Sequence, residues 1–152
     1  MSLIRLISAS MVISFSLACA GDGISAPPIG FTHAAATFVC GPADGPAVAI
    51  YLAPNPVTSL TPSTPYVRIY LAQSVNAISG RTWTLAGTVS DGNAWFQSAP
   101  SNSELATGGY MIVNSVGSDN TIEGTVDVTF PSAGHIRGEF RAAWLPNTDL
   151  CG

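Results

Sequence analysis

From residue 31 onward the dominant period of the apolar side chains is two rather than 3.6, which commits this stretch to β-strands rather than helices. Strands are expected near 31–40, 46–53, 65–73, 81–89, 94–98, 108–115, 120–130 and 135–145, about eight in all. Turn signals separate them: Gly41-Pro42, Asp91-Gly92-Asn93, Ala99-Pro100-Ser101-Asn102, Ser118-Asp119-Asn120 and Pro131-Ser132-Ala133-Gly134. The prolines agree, because each falls at a strand edge or in a loop, where a missing N–H removes no ladder hydrogen bond. Pro54, Pro56, Pro62 and Pro65 crowd one connection, the longest loop expected. No segment carries the start and stop signals of an ordinary helix. The fold class is therefore all-β, an antiparallel sandwich or a small barrel.

The last two strands fix their own register. Thr121–Phe130 places Ile122, Gly124, Val126, Val128 and Phe130 on one face, and His135–Trp144 places Ile136, Gly138, Phe140, Ala142 and Trp144 on one face. Two pairings keep these apolar faces together. One sets Glu123 opposite Arg141 and Asp127 opposite Arg137; the other sets Asp127 opposite Glu139. Opposite charges stabilise and like charges destabilise, each by up to about 1 kcal/mol, so the first pairing is preferred. It also lays the Phe140 ring over the bare backbone of Gly124. In this register Glu123, Asp127 and Glu139 are all expected to have arginine partners.

Charge excludes several functions. Of 152 residues 9% are charged, with nine acids, five arginines and no lysine. Without an ammonium group there is no Schiff-base chemistry and no phosphate loop of the Walker type. The arginines beyond residue 20 (Arg68, Arg81, Arg137 and Arg141) are scattered among acids, which removes a nucleic-acid stripe. The N-terminus reads as an address. Residues 1–20 carry Arg5 and then an apolar run from Leu6 to Leu17, about 12 residues, too short for a bilayer span of about 20. Ala18-Cys19-Ala20 fits signal cleavage by an A-x-A rule, whereas Leu17-Ala18-Cys19 resembles a lipobox in which Cys19 receives the lipid. The lipobox leucine normally stands three residues before the cysteine, where Ser16 lies here. The lipid anchor is the preferred route, with residues 21–30 as a flexible spacer and 31–152 as a single β-domain. Loss of Arg5 with the signal leaves a net charge of about −5.

After export the compartment is oxidising, and Cys40 and Cys151 are the expected disulfide partners. A metal site lacks ligands, because the chain has two histidines, His33 and His135, and no C-x-x-C. Neither a metal nor another cofactor is expected. Asp91-Gly92-Asn93 and Ser118-Asp119-Asn120 have too few oxygens for a calcium loop and read as turns. No G-x-S-x-G elbow accompanies the histidines, both of which are expected to be exposed. A carboxylate pair for glycoside hydrolysis is the weakest catalytic option, since the strand acids have arginine partners.

A binding face is better founded. Val48, Ile50 and Leu52 alternate with Ala47, Ala49 and Tyr51, and Val67, Ile69 and Leu71 alternate with Tyr66, Arg68 and Tyr70. If the two strands are neighbours, Tyr51, Tyr66, Arg68 and Tyr70 share one face among small alanines, suited to a sugar ring or a peptide. The competing expectation is that a loop covers this face. Trp83 and Trp144 alternate with apolar neighbours and are expected in the core; Trp95 and Phe96 point to opposite faces, so one of them is a candidate for exposure.

TIEGTV and HIRGEF share an apolar-x-Gly-x-apolar pattern, which recurrent sheet geometry explains. With Gly109-Tyr110-Met111-Ile112-Val113, Trp144 and the terminal Cys151-Gly152, these segments resemble small bacterial secreted or lipid-anchored β-sandwich proteins of uncharacterised function. The resemblance covers the last third of the chain and implies a location and an architecture, with no catalytic residue to carry over. The expectation is an exported, lipid-anchored, non-enzymatic envelope domain. Its alternative role is a glycan- or peptide-binding module.

Overall fold

The computed structural model describes residues 30–86 and 92–147. Residues 1–20, expected as a signal, the expected spacer up to residue 29, Cys19 and Cys151 lie outside the described residues. So do Asp91, Asp149 and the end of the strand expected at 81–89.

Nine strands form one mixed sheet, curled into a half-barrel, so the all-β expectation holds. In chain order they are β1 (His33–Cys40), β2 (Pro46–Ala53), β3 (Tyr66–Leu71), β4 (Arg81–Thr84) and β5 (Gly92–Ala99). There follow β6 (Asn102–Leu105), β7 (Gly108–Val116), β8 (Ile122–Phe130) and β9 (Gly134–Trp144). Two short 3-10 turns, Pro42–Asp44 and Val75–Ala77, are the helical elements among the described residues. The order across the sheet is β4-β7-β8-β9-β1-β2-β3-β5-β6. Neighbouring strands in this order pair antiparallel except where the first strand meets the last. There β1 runs parallel to β9, with Ala35 opposite Ala143 and Ala36 opposite Trp144. One continuous curved sheet thus replaces the two stacked layers of a sandwich.

Curvature follows from bulges and close backbone approaches. A register shift between Val113 and Ser115 bends β7 beside Gly124, and a Cβ at Gly124 would penetrate the carbonyl oxygen of Ile112. The curled β6 end is tied to β8 and the turn after it by Thr107 N–H to the Thr129 carbonyl (2.8 Å) and by Ser132, whose N–H and hydroxyl both donate to Glu104 Oε1 (3.0 and 2.7 Å). The enclosed face is the core. Val48, Ile50 and Leu52 of β2, Val67, Ile69 and Leu71 of β3, and Ile122, Val126 and Val128 of β8 are almost wholly buried. Phe96 and Phe130 meet across it with ring centroids 5.8 Å apart. Each such side chain removed from water contributes about 1.5–3 kcal/mol.

The C-terminal hairpin has the preferred register. Glu123 lies opposite Arg141 and Asp127 opposite Arg137, and Arg141 Nη1 donates to Glu123 Oε1 at 2.8 Å. The ring of Phe140 covers Gly124, and Phe31 covers Gly138 in the same way. Two details differ. Asp127 is held more closely by His135 Nε2 (2.7 Å) than by Arg137 Nε (3.8 Å), because residue 135 sits one step along the same polar face. Glu139 has no part in the ion pairs among the described residues, since the residue across from it on β8 is the neutral Thr125, and the two arginines beside it on β9 face Asp127 and Glu123.

Other boundaries moved for local reasons. Of the Asp91-Gly92-Asn93 turn signal, Gly92 and Asn93 are in a strand instead, because β5 already begins at Gly92 and pairs with Leu71 and Tyr70 of β3. The fourth strand ends at Thr84, and Asn102–Leu105, expected as the end of a turn, adds the short edge strand β6.

Candidate binding face

Ladder pairing decides which side chains share the outer face. Strand β3 lies between β2 and β5, so directly opposed residues project together. One row runs Ala35, Tyr51, Arg68, Trp95, Leu105 across five strands. The next runs Thr37, Ala49, Tyr70, Asn93, and on the other side Tyr66 stands beside Gln97 and Ser103. The structure therefore brings Tyr51, Tyr66, Arg68 and Tyr70 onto one face, as the alternation predicted. It also adds Trp95, Asn93 and Gln97. Phe96 enters the core, which leaves Trp95 outward and half-buried.

The four predicted residues have different roles. Tyr51 is only 4% exposed and offers no free ring face. Its ring meets Tyr66 edge-on, with centroids 5.9 Å apart and planes at 64°, so it supports Tyr66 from beneath. Burial pushes the Tyr51 phenol pKa up, opposed in part by the Arg68 charge. Burial raises Tyr70 as well, with Arg68 again opposing. The guanidinium therefore lies within electrostatic reach of both phenols. Tyr70 leans on the turn after β1: a Cβ at Gly41 would stand 3.0 Å from its hydroxyl, so the glycine makes room for it. The alanines flanking this face, Ala47, Ala49 and Ala53, are fully buried, so the accessible part is centred on β3 and β5 rather than on β2.

Arg68 is the centre of the arrangement. Its Nε is buried and has no hydrogen-bond partner, and on the adjoining row Asn93 Oδ1 is in the same condition. An unmet buried donor or acceptor costs about 1–3 kcal/mol. Beside Tyr66 and Gln97 the face continues into a hollow of about 570 Å³, walled by Thr61, Pro62, Ser63 and Thr64 of the proline-rich loop and by Pro100. Gln97 is fixed there by donating to the carbonyls of Ala99 (2.7 Å) and Pro100 (3.2 Å). Apolar rings, one cation and a border of hydroxyls and amides thus adjoin an open concavity.

The other chemical candidates are occupied differently. Asp119 accepts from the Thr121 N–H (3.1 Å) and from the Thr121 hydroxyl (2.9 Å), and these bonds hold its carboxyl below the usual carboxylate range. It closes a turn in which Asn120 adopts φ 61°. Glu123 and Glu139 border a second hollow of about 390 Å³ with Asn114 and Arg141. There Glu123 is engaged by Arg141 and by the Ser115 hydroxyl at 3.3 Å. His33 and His135 are exposed, as expected. Trp83 is buried, with Arg81 stacked over it at 4.6 Å; Trp144 packs against the core and remains half-buried. No helix among the described residues is long and apolar enough to cross a membrane.

The fold and the face together define an all-β half-barrel that carries an aromatic patch with an arginine at its centre. No protein family matches this chain, and no curated protein or solved structure matches it.

Proposed function

We propose that the chain is an exported, non-enzymatic β-domain of the bacterial cell envelope, anchored by lipid at Cys19, that binds a saccharide on the Tyr66–Arg68–Trp95 face. The observation that carries the binding role is the Tyr51–Arg68–Trp95 row, in which a cation is set between aromatic side chains without a counter-charge among the described residues. Tyrosine and tryptophan present a negative ring face to the C–H groups of a sugar, and their polar edges reach its hydroxyls. A peptide is less well served here. Extended peptides gain most of their affinity by adding to an exposed sheet edge, whereas β2, β3 and β5 are each paired on both sides.

Export and anchoring rest on residues 1–20 of the sequence. The non-enzymatic reading is supported by the side chains that chemistry would need. Among the described residues His135 is hydrogen-bonded to Asp127, and Glu123 is bound to a guanidinium. A Cys40–Cys151 disulfide completes the proposal. Beyond β9 the chain keeps to the path of β1, because Leu145 N–H donates to the Ala36 carbonyl (2.7 Å) and Asn147 Nδ2 to the Phe38 carbonyl (2.9 Å). Cys151 follows Asn147 by four positions, a reach of up to about 14 Å, and Phe38 is two residues from Cys40.

Titration of the mature protein against neutral and acidic oligosaccharides, followed by tryptophan fluorescence, tests the binding role. At least one saccharide is expected to shift the Trp95 emission saturably, and Trp95→Phe is expected to remove that response. A flat titration across the whole panel would remove saccharide binding from the proposal.

A further inference from the structure

The chain is acidic, with a net charge of −4, yet the cation on its aromatic face is uncompensated. Among the described residues the ion pairs join His135 and Arg137 to Asp127 and Arg141 to Glu123, and Arg68 belongs to none. The side chains that face Arg68 from both adjoining strands are neutral: Ala49 and Tyr51 on β2, Asn93, Trp95 and Gln97 on β5. Its neighbours along β3 are Tyr66 and Tyr70. A guanidinium in such a setting loses hydration and gains no attraction in return. With Nε buried, a ligand would be met through the two terminal nitrogens.

We infer that the face recognises an acidic sugar, a uronate, whose carboxylate is received by Arg68 while its ring stacks on Tyr66 and Trp95. This rests on the saccharide-binding reading above and names the class of sugar. The carboxylate matches the site in charge and in shape. A guanidinium is planar and donates two parallel hydrogen bonds to a planar carboxylate. It also supplies one positive charge, enough for a monoanion. A phosphate ester would bring close to two negative charges to a face that has no second cation, in a chain without lysine.

The test compares one sugar in two charge states on the mature wild-type protein. Galacturonate oligomers are titrated beside their methyl esters, with neutral galactose oligomers and sulfated galactose oligomers as further arms. The acid form is expected to bind at least tenfold more tightly than the ester, and added salt is expected to narrow the difference. Arg68→Gln is expected to bring acid and ester to equal affinity; circular dichroism confirms that the variant is folded. Arg68→Lys, which retains charge without the planar fork, is expected to recover only part of the preference. Equal binding of acid and ester by the wild type, or tighter binding of the sulfated arm, would overturn the uronate assignment and leave saccharide binding intact. Failure of every arm would overturn both.

Discussion

Replacing Gly109 with alanine is expected to destabilise the domain by on the order of 3 kcal/mol or more, whereas Gly108→Ala, one residue earlier, is expected to be nearly neutral. The contrast is geometric. Gly109 lies in β7 opposite Val128 with φ +128°, a conformation that side-chain-bearing residues rarely adopt. A Cβ built there would penetrate the backbone of Asp127 and Val128, which cannot move without parting the β7–β8 ladder. Gly109 also holds the edge strand, since its carbonyl accepts from the Leu85 N–H at 3.0 Å. Gly108 has open space where its Cβ would go. Thermal unfolding of the two variants checks this, with about 4 °C expected per kcal/mol for a domain of this size. Equal melting temperatures would contradict the described pairing of β7 with β8.

The second large effect concerns the proposed Cys40–Cys151 bridge. A disulfide that closes more than a hundred residues is expected to stabilise by about 4–5 kcal/mol through restriction of the unfolded chain. Cys40→Ala should therefore lower the denaturant midpoint by a corresponding amount, and reduction of the wild type should give the same loss. The bridge would clamp β1 to β9, the parallel pair among the described residues, whose ladder has two paired positions. Alkylation before and after reduction, read by mass, counts the thiols directly. No modification without reductant and two after it are expected; two modified cysteines without reductant would refute the bridge.

How far the fold could be read from the chain varied by element. Strand β2 was expected at 46–53 and is observed at Pro46–Ala53, because Pro46 marks its start and unbroken alternation continues to Ala53. The β8–β9 register was decided by Glu123, Arg141, Asp127 and Arg137, where charge and apolar alternation act together. The parallel contact between β1 and β9 leaves no comparable trace. It joins residues more than a hundred positions apart, and neither strand signals its partner. The short edge strand β6 was missed because Asn102 and Ser103 resemble a turn, and its pairing depends on β5 being present beside it.

The face was legible in the same limited sense. Alternation placed Tyr66, Arg68 and Tyr70 together and gave Tyr51 the same direction, but direction does not specify cover, and Tyr51 proved to be buried. Trp95 was recognised as one of two candidates for exposure. Its place beside Arg68 followed only from the pairing of β3 with β5 across the intervening β4 segment, which no local pattern encodes. Glu139 shows the opposite error: charge counting gave it a partner that the ladder places elsewhere.

Locating a bound saccharide tests the role of the face most directly. Aromatic NMR spectra of the mature protein, with tyrosine and tryptophan labelled, would be recorded with a galacturonate trisaccharide and with its methyl ester. The Tyr66, Tyr70 and Trp95 signals are expected to shift on binding, while those of Trp83 in the core and Tyr110 on the β7–β8 surface stay in place. Shifts confined to Tyr110, or none at any ring on the Arg68 face, would contradict a binding role for this half of the sheet.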